Sequence, residues 1–95
     1  MMQQATGCTG EAITVNTLTG ITAAVRLHAV SALLQVVSGG PIRWYADGRT
    51  PTASAGFVTF ETGLIELKSA FEVASFQAIK ATEGTNATVE IMVRK

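Results

Sequence analysis

The chain is poor in the residues that usually carry chemistry. It holds one cysteine, one histidine, one tryptophan and one tyrosine. A lone Cys8 excludes a disulfide framework and a cysteine-rich metal site, and with no histidine pattern beside it the residue reads as a solvent-exposed thiol. His28, between Leu27 and Ala29, has no His-x-His or His-Glu partner, so it reads as an ordinary, partly buried histidine rather than a ligand or base. Charge is scarce too: 15% of residues are charged, seven basic against seven acidic, for a formal net charge of zero. That balance gives no positive field for nucleic acid. The basic residues Arg26, Arg43, Arg49, Lys68, Lys80, Arg94 and Lys95 are scattered, with no aromatic-basic stripe. No apolar run approaches the roughly 20 residues that span a bilayer. Met1-Met2-Gln3-Gln4 lacks the basic and apolar regions of a secretory signal. No serine or threonine sits in a nucleophile elbow or phosphate loop, and no acid-base pair is evident. The expectations are therefore a non-enzyme without cofactor or metal, made in a cytoplasm, with neither membrane nor nucleic acid as partner.

What the chain does have is apolar content, 47% of its residues. This suffices for a single small core and rules out a disordered chain. A weakly charged, apolar domain of this kind hides surface in an oligomer or a larger assembly. Its organising stretch runs from Gly39 to Gly56 and contains Trp44, Tyr45 and both prolines. Gly39-Gly40-Pro41 is expected to break the preceding element. Ile42 to Ala46 then reads as a strand, with Ile42, Trp44 and Ala46 on one face and Arg43 and Tyr45 on the other. Asp47-Gly48 is a turn signal, and Thr50-Pro51-Thr52 is extended.

Met1 to Gly10 is small and polar and reads as a flexible N-terminal arm, either a disordered terminus or a segment lying along a neighbouring subunit. The remainder, residues 11 to 95, is one domain. Ala12 to Thr17 alternates as a strand with Ile13 and Val15 on one face, closed by Thr19-Gly20. Ile21 to Val37 fits either a helical face or a strand; we read strand from about His28, with a helical turn near Thr22 to Arg26. Phe57 to Phe60 is a short apolar piece, Glu61 to Gly63 a turn, and Leu64 to Lys68 a strand with Ile65 and Leu67 inward. Ser69 to Ser75 reads as a crossing loop with Phe71 as its plug. Phe76 to Thr82 is a strand, Glu83 to Asn86 a hairpin turn, and Ala87 to Lys95 the last strand, with Val89, Ile91 and Val93 on the core face. Asn86-Ala87-Thr88 matches a glycosylation acceptor, but without a secretory route it is simply part of that turn. Six or seven strands at regular spacing predict an all-β fold: a compact antiparallel β-sandwich, jelly-roll-like or barrel-like.

The order of these pieces carries a resemblance. An apolar strand, Pro41-Ile42-Arg43-Trp44, Asp47-Gly48, Pro51-Thr52 and Gly56, followed by Gly63 to Leu67, Phe76-Gln77-Ala78-Ile79 and the alternating Ala87 to Val93, resembles small β-sandwich structural proteins from tailed-bacteriophage virion gene modules. The resemblance runs from about Glu11 to Arg94. The Gly7-Cys8-Thr9-Gly10 leader and the long Ile21 to Val30 approach depart from the pattern. The resemblance implies a virion structural protein that acts by packing. The expected role is a capsid decoration or cement protein, in the virion and assembled in the host cytoplasm. Its partners would be itself, as a homo-oligomer with a trimer favoured, and the major capsid or tail proteins. The alternatives are a tail or head-tail junction component, or a host-surface or carbohydrate-binding module using Trp44 and Tyr45 to stack. Arginine and large aromatics bury much area at interfaces. The candidate interface residues are accordingly Arg43, Tyr45, Asp47, Arg49 and Pro51. Trp44 is expected in the core, and Asp47 is expected to pair with a local arginine.

Overall fold

The computed structural model describes residues 8–95, so the expectation for Met1 to Gly7, and for the thiol of Cys8, lies outside the described residues. The fold is mostly antiparallel β, with two short helices. In chain order the elements are β1 (Cys8–Val15), β2 (Thr19–Gly20), α1 (Ala23–Arg26), β3 (Ser31–Tyr45), β4 (Phe57–Thr59), β5 (Leu64–Leu67), α2 (Ala70–Ser75) and β6 (Gln77–Arg94). All six strands belong to one hydrogen-bonded sheet with the path β1-β6-β3-β4; β2 also pairs with β6, and β5 with β3. The all-β class and the number of strands agree with expectation.

Two long strands, β3 and β6, run through the whole molecule, and both correct the sequence reading. Gly39-Gly40-Pro41 does not end a strand. It bends one, because Gly39 (φ +76°) and Gly40 (φ +87°) reach backbone angles that side chains resist. Glu83 to Asn86 is not a hairpin turn either. Between the pairs Val36↔Val89 and Ile42↔Lys80, β3 advances six residues and β6 nine, so the surplus is taken up as bulges. Turn-forming residues thus serve a bend inside a strand. Gly84 allows the strands to cross closely: a Cβ there would lie 2.6 Å from the Pro41 carbonyl oxygen.

The bend folds the sheet over. Leu67 pairs with Ala32 at one end of β3, and a straight strand would place Trp44 roughly 40 Å away at ~3.3 Å per residue. Instead Leu67 and Glu66 line one groove with Trp44 and Phe57. The link from β5 to β6 agrees, since α2 rises only about 9 Å at ~1.5 Å per residue. The core sits inside this fold. Leu34, Val36, Ile65, Leu67, Val89, Ile91, Val93 and Val15 come from one half, and Ile42 and Ala78 from the other. Ile21, Ala29, Val73 and Phe76 from the connections close it. Burial alternates along Ala32 to Val37 of β3 and Ala87 to Arg94 of β6 as a half-buried strand requires, and the inward positions predicted for Ile65, Leu67, Val89, Ile91 and Val93 hold.

Four smaller readings change. Cys8 to Gly10 belongs to β1 rather than to an arm, because their backbone pairs with Met92 to Arg94. His28 is exposed, not partly buried, and has φ +63°, a left-handed position that ends the turn after α1. The strand starts only at Ser31. Ser69 to Ser75 is not a loop. The Ser69 hydroxyl accepts from the Glu72 amide at 3.2 Å, and the Glu72 carboxylate accepts from the Lys68 amide at 2.6 Å, which starts α2. Phe71 is no plug, being 62% exposed; Val73 and Phe76 fill that part of the core.

Candidate functional site

The predicted recognition stretch lies at the end of β3, where Ile42 to Trp44 pair with β4 on one side and Ile42 to Tyr45 with β6 on the other. Trp44 is half-buried and packs on the core. Its indole N–H donates to Thr59 Oγ1 at 2.9 Å, and its ring lies 5.3 Å from Phe57 and 5.8 Å from Phe76, both tilted. Tyr45 meets Phe57 edge-on at 5.9 Å. Trp44 is therefore held as a structural ring, and Phe57, 57% exposed, is the ring of this cluster most open to solvent.

The turn after β3 is built locally. Gly48 (φ +94°) lets the chain reverse, so the Arg49 amide donates to Asp47 Oδ1 at 3.2 Å. The Arg49 guanidinium grips the same carboxylate, from Nε at 3.1 and 2.9 Å and from Nη2 at 2.7 Å. Its carbon lies 3.9 Å from the centre of the Tyr45 ring, a cation-π contact. The Arg49 side-chain hydrogen bonds, and then its backbone amide, hold the Asp47 carboxyl below its ordinary 3.8. Asp47 in turn raises the Arg49 guanidinium above its ordinary range. This cluster is a self-satisfied turn rather than an acid-base pair.

Of the five candidate interface residues, the structure brings Tyr45, Asp47 and Arg49 together at the surface. Arg43 is drawn elsewhere: Nη1 donates to the Gly56 carbonyl at 3.0 Å, and Nε is buried with no hydrogen-bond partner among the described residues. Pro51 is buried. The groove beside the turn, lined by Trp44, Ala46, Asp47, Phe57, Glu66, Leu67 and Glu72, has room for about 190 Å³. That is smaller than the usual small-molecule pocket, which starts at roughly 300 Å³. Among the described residues no three His, Cys, Asp or Glu side chains gather where they could hold a metal ion.

The larger surface feature is one that the sequence reading missed. On the outer face of the half-sheet β1-β6-β3-β5, Leu33 lies directly opposite Met92, and Leu64 lies opposite Gln35. Leu33, Leu64 and Met92 line one open groove and are all exposed, Leu64 by 64%. A second groove, lined by Leu33 and Met92 and by the charged Glu66, Lys68 and Arg94, shares Glu66 and Leu67 with the aromatic groove. Leu33-Leu34-Gln35-Val36-Val37 carried the signal: apolar residues occupy both phases of the alternation, so one set must face outward. Among the described residues no helix is long and apolar enough to cross a membrane. Compared with known proteins, the chain matches no family model, no curated protein and no solved structure.

Proposed function

We propose that the protein is a structural component of a tailed-phage virion, a capsid decoration or cement protein that works by packing several copies onto the particle. One observation carries this reading: Leu33, Leu64 and Met92 are exposed together in one outer groove, with Phe57 and Phe60 exposed elsewhere, on a chain with zero net charge. Monomeric proteins rarely leave a large contiguous apolar patch in water. Spreading modest contacts over an extended face suits a stapling protein, for which area and copy number replace a deep pocket. The motif order quoted above supports the virion assignment. The test is co-sedimentation of the purified chain with phage heads that lack it, beside a Leu33→Ser/Met92→Ser variant. Attachment of the wild type, lost in the folded variant, is expected. Failure of the wild type to bind head or tail particles would reject the role.

The host-surface or carbohydrate reading keeps one supporting observation, the groove in which Phe57 sits beside Asp47, Glu66 and Glu72. Aromatic area with nearby carboxylates is what a sugar needs, but Asp47 is occupied by Arg49 and Glu72 by the Lys68 amide. Quenching of Trp44 fluorescence by saturable glycan binding would favour this reading over packing.

A further inference from the structure

We propose that β1 is a pairing edge: two copies of the chain join their sheets by running β1 antiparallel to β1 of the second copy about a two-fold axis. The proposal rests on the assembly reading above and names its interface. An unpaired edge strand exposes a row of backbone donors and acceptors, and proteins normally blunt such edges with short strands, bulges, prolines or charges. The other edges here are short: two residues in β2, three in β4 and four in β5. β1 has eight residues, and its register with β6 runs unbroken from Cys8↔Arg94 to Val15↔Ala87. It contains no proline, lysine or arginine. Its one charge, Glu11, is folded back, accepting from both the amide and the hydroxyl of Thr22. Among the described residues β1 thus carries no proline, bulge or outward-facing charge of its own.

The strand also suits a copy of itself. Gly10, Ala12 and Thr14 are small and exposed, so a neighbouring strand meets no bulky side chain on that face. Gly10 and Ala12 stand opposite Met92 and Glu90 of β6, which places the edge beside the apolar face described above. Among the described residues no strand pairs with the outer side of β1. Antiparallel pairing of identical strands is isologous, so it closes after two copies and does not propagate into a fibre. The strand's one charge, Glu11, lies on the opposite face from Gly10, Ala12 and Thr14 and is hydrogen-bonded to Thr22.

The experiment is sedimentation velocity of the full chain across the micromolar range, beside an Ala12→Lys/Thr14→Lys variant that restores the missing guard. Both positions are exposed, and circular dichroism checks that the variant is folded. The wild type is expected to be a dimer, with the variant's dissociation constant raised about tenfold or more. An oligomer that the variant leaves unchanged, or a three-fold mass, overturns the β1 interface while the assembly reading stands. A wild-type monomer throughout overturns the β1 interface, and only a monomer that also fails to co-sediment with particles overturns both. If the variant unfolds, hydrogen exchange on the wild type decides: β1 amides gain protection with concentration if the edges pair, and unchanged protection refutes the pairing.

Discussion

Replacing Gly39 by alanine tests the bend in β3, on which the whole architecture depends. Two costs are separable here. A side chain at a left-handed φ is strained by about 1–2 kcal/mol, whatever surrounds it. At Gly39 the new Cβ would in addition overlap the backbone carbonyl oxygen of Asn86 in β6, which no rotamer change can remove. Forcing packed backbone apart adds about 1–3 kcal/mol. Gly48 is the control, because its φ is also left-handed, +94°, yet nothing lies within 4 Å of a Cβ there. Gly48→Ala should thus cost about 1–2 kcal/mol, and Gly39→Ala about 2–5 kcal/mol. Urea unfolding followed by Trp44 fluorescence and by circular dichroism gives both values. If Gly39→Ala costs no more than Gly48→Ala, β6 does not lie against Gly39 and the continuous, folded-over strands are wrong.

The remaining expectations follow from single contacts. Trp44→Phe keeps an aromatic ring but loses the bond to Thr59, so denaturant unfolding should show a loss of about 1 kcal/mol, and Trp44→Ala about 3 kcal/mol because the ring is only half-buried. Native Trp44 emission should be blue-shifted relative to the denatured chain; identical spectra would place the indole in water. Phe71→Ser should change stability by less than about 0.5 kcal/mol, whereas Phe76→Ala should cost about 3–5 kcal/mol, and reversal of that order would restore Phe71 as the plug. Because the folded Asp47 carboxyl titrates below its ordinary 3.8, its pairing with Arg49 is fully present above that pH and is lost as the pH falls through the lowered value. NMR titration should show the Asp47 midpoint rising toward 3.8 in Arg49→Gln, and an unmoved midpoint would remove Arg49 as the cause.

Much of the fold was legible because the alternation of apolar residues reports directly which face a strand buries. Ile65 and Leu67, and Val89, Ile91 and Val93, lie where that pattern puts them. What misled was punctuation. Glu83-Gly84-Thr85-Asn86 has turn chemistry, and only the partner strand decides whether such residues reverse the chain or bulge within it. Gly39-Gly40-Pro41 posed the same ambiguity. The helix α2 was a missed signal rather than a hidden one: Ser69-Ala70-Phe71-Glu72 is a Ser-x-x-Glu helix start. At the candidate site, the Asp47–Arg49 turn was readable because its contacts span two residues. The bond from Arg43 to Gly56 follows from the pairing of β3 with β4, and the meeting of Phe57 with Glu66 and Glu72 from the fold-over, neither of which a local pattern encodes. The outer Leu33–Met92 face likewise appears only when β3 and β6 are paired.

The proposed role, packing onto a virion through the apolar outer face, is tested most directly by imaging phage particles. Electron cryo-microscopy of the virion at side-chain resolution should show the protein in repeated copies. Leu33, Leu64 and Met92 should be buried against a neighbouring protein. A virion without the chain, or one that carries it with those three side chains left in solvent, would contradict the account.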